Sequence, residues 1–495
     1  SAAEVEVSTY DDLKKAIDNA SDEMTIKLGN DLELKEDTQS IEINDSKKIT
    51  LLGNGHTIKF TGKENGITVS GKDTSLTLGG DDAGKLVISG PDADKPNVDP
   101  KNPETIENVK YEDTSREAPL INVKDDAALT MNDGVTLTDN WMAANWAKLQ
   151  VNGVHRYHGG GVYVEGGSFT MKGGTVKRNS ADWGGGVFIA SDGKFTMSGG
   201  SIEGNVSSWG AGLCVMSSTA DISGNAKVDG NRAMGYKYKD GNNEVIHSAI
   251  GGGIALMGAM PYGDNNFTNG DGALTIKDSA SVSNNICCGD TKRNANNWGG
   301  GIGIAGSGKT GSVPALTLNI NGGGVSVYCS SATGGTESGA SSNFSAEVKI
   351  NMTNGEISGN KVNYKGGGVD LNGEFISFGS GNAASSAVFH MSGGKISNNE
   401  AIGYQASNNN RPDSTCTGGG VNLWGSDNNQ FYMTGGEISG NKAVKGGGVH
   451  ISDESWSKGD SIAALLGGVI QDNRAIYGPP DRDEKSTSNN YYGNE

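Results

Sequence analysis

One carboxylate stands in a row of otherwise uncharged positions. The chain repeats a phrase of three small residues followed by apolar, variable and apolar residues. The copies are GGGVYV from Gly159, GGGVFI from Gly184, GAGLCV from Gly210, GGGIAL from Gly251, GGGIGI from Gly299, GGGVDL from Gly366, GGGVNL from Gly418 and GGGVHI from Gly446. The variable residue reads Tyr163, Phe188, Cys214, Ala255, Gly303, Asp370, Asn422 and His450 in chain order. If each phrase is a β-strand, alternation turns that residue outward and its apolar neighbours inward. Asp370, Asn422 and His450 then follow one another on stacked strands, about 4.8 Å apart. Such a carboxylate suits glycosidic bond chemistry if a second carboxyl lies about 5–5.5 Å away, one protonated and one ionised. Glu374, four residues beyond Asp370, is one candidate partner. The plainer alternative is a solvated surface aspartate.

Aromatic residues flank the same phrases. Trp183, Trp209 and Trp298 each directly precede a glycine triplet, and Trp424 lies two residues after Asn422. Tyr364, Tyr404, Trp141, Trp146 and His158 occupy the same class of loop. Flat aromatic faces match the apolar face of a pyranose ring and would wall a sugar-binding cleft. They could equally cover the bare backbone of the glycine turns, with Trp183 and Trp209 stacked on each other.

The repeat itself sets the scaffold. Self-similarity at a spacing as short as 25 residues (Gly159 to Gly184) means a stacked, quasi-one-dimensional fold. Each coil reads as a strand after the triplet, a second strand, a glycine turn, a third strand and an Asn. These Asn fall at 140, 179, 205, 231, 285, 360, 399, 441 and 473. Asn tolerates the left-handed backbone of a tight corner and can hydrogen-bond up a stack. The predicted fold is all-β, a right-handed parallel β-helix spanning residues 1–477 as one domain. A short amphipathic helix over residues 8–20, with Ser8 as N-cap, would seal its first edge. Residues 91–118 are a polar excursion, and 478–495 a polar tail. Insertions fall between Asn and triplet (141–158, 232–250, 286–298, 400–417) and between the first and second strands (257–272, 305–315, 371–388, 452–463). Both sets flank the outward row, which reads as the floor of a groove.

Composition narrows the partners. The formal net charge is −18 and no basic run occurs, which disfavours nucleic acid and acidic glycans and favours a neutral oligosaccharide. A polysaccharide lyase is disfavoured because the row holds no Lys or Arg. The five cysteines form no CxxC pair, so no zinc site or disulfide framework is indicated. No cofactor or metal is expected. The Asp264–Gly272 loop offers oxygens for a structural calcium, though a plain polar loop is the simpler reading. No stretch approaches the roughly 20 apolar residues of a membrane span. The opening SAAEVEV lacks Met and reads as trimmed, so an extracellular or cell-surface location is inferred from fold type.

The phrases GGGVxI and FTMxGGxIxxN over about residues 119–477 resemble two groups. One is the adhesin-like β-helix proteins of Gram-positive gut bacteria. The other is glycoside hydrolase family 136, the lacto-N-biosidases, whose catalytic part is a right-handed β-helix. The second resemblance implies release of lacto-N-biose from human milk oligosaccharides such as lacto-N-tetraose, by two aspartates seven positions apart. It places the nucleophile on Asp370 and the acid/base on Asn363. Asn cannot donate a carboxylic proton, so the resemblance implies an acid/base-inactive form or another pair. Asp264 with Asp271, Asp271 with Asp278, and Asp453 with Asp460 share the spacing. Asn422, Trp424, His450, Trp298 and Tyr364 become the implied substrate contacts. Some family members need a chaperone-like domain or subunit, which here would be a separate chain. The first resemblance implies instead a non-catalytic adhesin or glycan-binding module.

Overall fold

The computed structural model describes residues 3–80, 84–93, 116–142, 158–234, 236–240, 243–247, 249–258, 271–288, 320–321, 324–328, 331–332, 347–372, 377–378, 386–405, 408–412, 414–424, 429–452 and 461–476. Three long sheets of 13, 11 and 12 strands run the length of the molecule, and every ladder within them is parallel. Successive coils contribute one strand to each, so the chain is a parallel β-helix. Strand burial alternates as the sequence pattern requires. In Ser168–Met171, Phe169 and Met171 are buried and Ser168 and Thr170 are not. The inward residues form one continuous core from Val7 to Ile438, with like residues stacked on like. Phe169 sits on Phe195 at 5.1 Å, and Phe389 on Phe431 at 5.0 Å.

The glycine triplets are demanded by the stacking. The first Gly adopts a positive φ (68° at Gly159, 65° at Gly184), which side chains disfavour. At the second, a β-carbon on Gly185 would lie 2.4 Å from the Val206 carbonyl of the next coil. At Gly185 the turn is therefore closed by the backbone of the next coil, whereas the following copy admits the buried Ala211 at the same position.

The Asn positions form one unbroken ladder, as the spacing predicts. Each Asn from 179 to 441 donates its backbone N–H and its Nδ2 to the Oδ1 of the next, at 2.9–3.2 Å. Pro91 breaks the pattern: its place in register is opposite Asn140, and proline has no N–H to give. Arg116 fills the gap. Its guanidinium is fully buried and donates to Asn140 Oδ1 (2.7 Å), Asn65 Oδ1 (2.8 Å) and the Gly62 carbonyl (2.7 Å). Burial lowers its pKa to about 10, so it remains a cation at neutral pH.

Three details differ from the sequence reading. The helix is Tyr10–Asp18, and its N-cap is Thr9, not Ser8; Thr9 Oγ1 accepts from the Asp12 amide at 3.1 Å. It buries Leu13, Ala16 and Ile17 as expected. Coils from Val206 onward carry a fourth short strand after the Asn, forming a 7-stranded sheet of its own. The strand between Ile254–Met257 and Val369–Asn372 is Val325–Tyr328, which puts Ser326 in register with Ala255 and Asp370; Gly303, the residue expected at this rung, lies outside the described residues. A triplet at Gly322–Gly324 precedes it, and two look-alike triplets 23 residues apart cannot be ranked without their neighbours' register. No helix among the described residues is long and apolar enough to cross a membrane.

Candidate functional site

The outward row is real, but it is not an open floor. Register ties Tyr163, Phe188, Cys214, Ala255, Ser326, Asp370, Asn422 and His450 into one line across the 11-stranded sheet. Phe188, Cys214, Ala255, Asp370 and Asn422 are all fully buried. A second row, formed by the residue before each triplet, runs beside it. His158, Trp183, Trp209 and Ile250 bridge one another in parallel, as do Lys365, Thr417 and Lys445.

The two rows change character together. In the middle coils both are apolar. Trp183, Trp209, Phe188, Cys214, Ile250, Ala255 and Met257 pack as a second core outside the first. Trp183 lies flat on Trp209 at 4.5 Å and 12°, and both are buried. These tryptophans therefore cover their turns and each other. They are not exposed sugar platforms, because burying two indoles against apolar neighbours is worth more than presenting them to water.

In the last coils both rows are polar. Asp370 accepts from Asn422 Nδ2 at 2.8 Å and from Trp424 Nε1 at 3.1 and 3.2 Å. Asn422 is itself oriented by Thr417, whose Oγ1 donates to its Oδ1 at 2.8 Å. The Trp424 carbonyl accepts from Asn429 Nδ2 and Ser461 Oγ, both at 2.6 Å, which fixes the indole. Lys365, buried, holds its Nζ 5.0 Å from the rings of both Tyr364 and Trp424. The result is a desolvated carboxylate held by two neutral donors, with a lysine and two aromatic rings at its side.

Of the residues predicted for the site, Asp370, Asn422 and Trp424 are joined by hydrogen bonds, and Tyr364 meets Trp424 at 6.3 Å and 60°. His450 is the next rung after Asn422. Asn363 follows the strand Lys361–Val362 of the fourth sheet, across the glycine turn from Asp370, and its carbonyl accepts from Cys416 Sγ at 3.3 Å. Trp298, Trp146, Glu374, Asp453, Asp460 and Asp264 lie outside the described residues. Among the described residues, no group of three His, Cys, Asp or Glu is placed to hold a metal. Lys365, Thr417 and Lys445 were missed because the sequence reading took only the aromatic residues from the position before each triplet. The signal was present there, where Trp gives way to Lys and Thr.

His450 carries a pH prediction. Burial, then the charges of Lys365 and Lys445, lower its pKa to about 4 from the usual 6.5. The folded chain thus binds fewer protons than the unfolded chain between these values, and stability falls as pH drops through that window. The loss is up to about 3 kcal/mol. His450→Gln is expected to remove this acid limb. Denaturant midpoints at pH 7 and 4.5 would show it, and an equal loss in both proteins would refute the assignment.

Comparison with known proteins bears on the other end of the molecule. No curated protein and no solved structure matches the chain. The pectate lyase-like adhesive domain matches residues 4–157. That segment holds the helix-capped first coils and stops short of the Asp370 cluster, so the likeness describes the scaffold and its adhesive class, not the carboxylate site.

Proposed function

We propose that this chain is a cell-surface or extracellular β-helix that binds a neutral glycan at the polar end of the outer row and holds it without cleaving it. One observation carries the reading. Asp370 accepts from Asn422 and Trp424, and among the described residues its ladder neighbours, Ser326 and Asn422, are not acids. The position that a two-aspartate mechanism would use for proton donation is Asn363. Asp370, Asn422 and Trp424 are themselves buried, so the sugar would be met by the half-buried Tyr364 and His450, which this hydrogen-bonded cluster holds in place. The adhesive-domain match of the first coils supports the surface location.

A second reading is a glycoside hydrolase of lacto-N-biosidase type. It is favoured by the cost of burying a carboxylate outside the core, a cost that structure alone does not require. Titration calorimetry with lacto-N-tetraose, alongside chromatography for released lacto-N-biose, separates the two. Wild type is expected to bind without release, and Asp370→Asn to weaken binding about tenfold, roughly 1.4 kcal/mol. Release by wild type would favour the hydrolase. Release only by Asn363→Asp would mark a hydrolase lacking its acid. Unchanged binding in Asp370→Asn would remove this site from either reading.

A further inference from the structure

We infer that the outer face of the 13-stranded sheet, over its last coils, is a second ligand surface for an extended neutral oligosaccharide. It lies on a different sheet from Asp370 and does not depend on that residue's role. The argument starts from one row in register. From the first coils onward it reads Thr25, Thr50, Thr77, Thr130, Thr170, Thr196, Asp221 and Thr275, then Asn351, His390 and Tyr432. Threonine is the expected residue on a half-exposed strand, where its branched side chain packs on the pleat. A purely structural row would keep it. Asp221 departs from it singly and Ala464 ends the row; between them, after Thr275, three consecutive coils carry Asn351, His390 and Tyr432, which are planar and rich in hydrogen-bonding groups.

A cavity of about 680 Å³ lies over those same coils. His390 and Tyr432 meet edge to face at 5.1 Å and 84°, so they present unlike surfaces to it. Tyr432 Oη donates to Gln430 Oε1 at 3.2 Å, which leaves the Gln430 amide N–H groups directed elsewhere. Thr353, Ser392 and Thr434 add hydroxyls along one side, and Leu466, 73% exposed, supplies an apolar lip. The flanking charges Glu347 and Lys349 cancel. Burial, with the Lys349 charge, lowers the pKa of His390, so its ring is neutral at pH 7 and can both donate and accept. A ring face, amides and hydroxyls repeated at the strand spacing, without net charge, are the groups that recognise successive pyranose units.

The test restores the repeat. Tyr432→Thr and His390→Thr return the row to the residue that earlier coils already carry, so both variants should fold and keep the wild-type melting temperature. Calorimetry would use cellotetraose, lacto-N-tetraose and triacetylchitotriose as neutral probes, and trigalacturonate as an acidic one. At least one neutral probe is expected to bind wild type, with affinity falling tenfold or more in each Thr variant. Tyr432→Phe should stay within threefold, and the loss caused by each Thr variant should be the same in an Asp370→Asn background, where the other site is already weakened. Equal binding in the Thr variants, no binding of any neutral probe, or binding of trigalacturonate alone would overturn the inference. Because Asp370→Asn reports separately on the other site, failure of one leaves the other standing.

Discussion

Asn285→Ala is expected to destabilise the molecule by about 4 kcal/mol. Its Oδ1 accepts from the Asn231 amide at 2.9 Å and from Asn231 Nδ2 at 3.0 Å, and its own Nδ2 donates to the Val228 carbonyl and to Asn360 Oδ1, both at 3.0 Å. All of these groups are buried in a stacked corner where water has no access. Truncation strands the Asn231 N–H and the Val228 carbonyl, and each orphaned buried group costs about 1–3 kcal/mol. Asn30→Ala is the matched control. That side chain is exposed and bonds only the adjacent Asp31 amide at 3.0 Å, so its loss should stay within about 0.5 kcal/mol. Denaturant unfolding measures both. Native-state hydrogen exchange should place the Asn285 effect in the coils on either side, since repeat arrays fail by neighbours. A loss below about 1 kcal/mol would mean that the ladder follows the stacking and does not support it.

Gly185→Ala should be worse, at about 5 kcal/mol or more, and is expected to abolish soluble expression. A β-carbon there would sit 2.4 Å from the Val206 carbonyl oxygen and 2.7 Å from that of Ala211, both backbone atoms of the next coil. No side chain can rotate away to relieve this, and the next coil is held in turn by the one after. Gly55 gives the contrast. It also has a positive φ, at 85°, but nothing lies within 4 Å of its would-be β-carbon. Gly55→Asn should therefore cost under about 1 kcal/mol, since Asn accepts the left-handed region. Soluble yield and thermal melts report both variants. A folded Gly185→Ala protein with a near-native melt would show that coils can separate locally without penalty.

Much of the scaffold was legible because the constraints that write it are local and repeated. Every coil needs the same Asn at the same corner, so nine positions could be read as a ladder before any geometry was known. The glycines announced where one backbone presses on another. What escaped was set by neighbours. Gly303 and Ser326 follow equally good triplets, and only pairing with Ala255 and Asp370 decides between them. Arg116 substitutes for a missing rung at a site whose sequence shows only that Pro91 stands where an Asn belongs. For the candidate site, alternation placed Asp370 on the outer face but could not show that this face is covered. Burial there depends on what folds over the sheet, and period-two patterning carries no information about a second layer. The change from Trp to Lys365 before its triplet was legible, but not its meaning, which comes from the Trp424 and Tyr364 rings it lies beside.

The Asn ladder has a direction. Each rung gives its hydrogens to the rung that follows in the chain, so a coil is completed only when its successor arrives. A helix covers the first coils, and the Arg116 guanidinium stands at the head of the ladder, donating to Asn140. Assembly is thereby vectorial. A polypeptide emerging N-terminus first meets a finished seed and adds turns in the order in which they are synthesised.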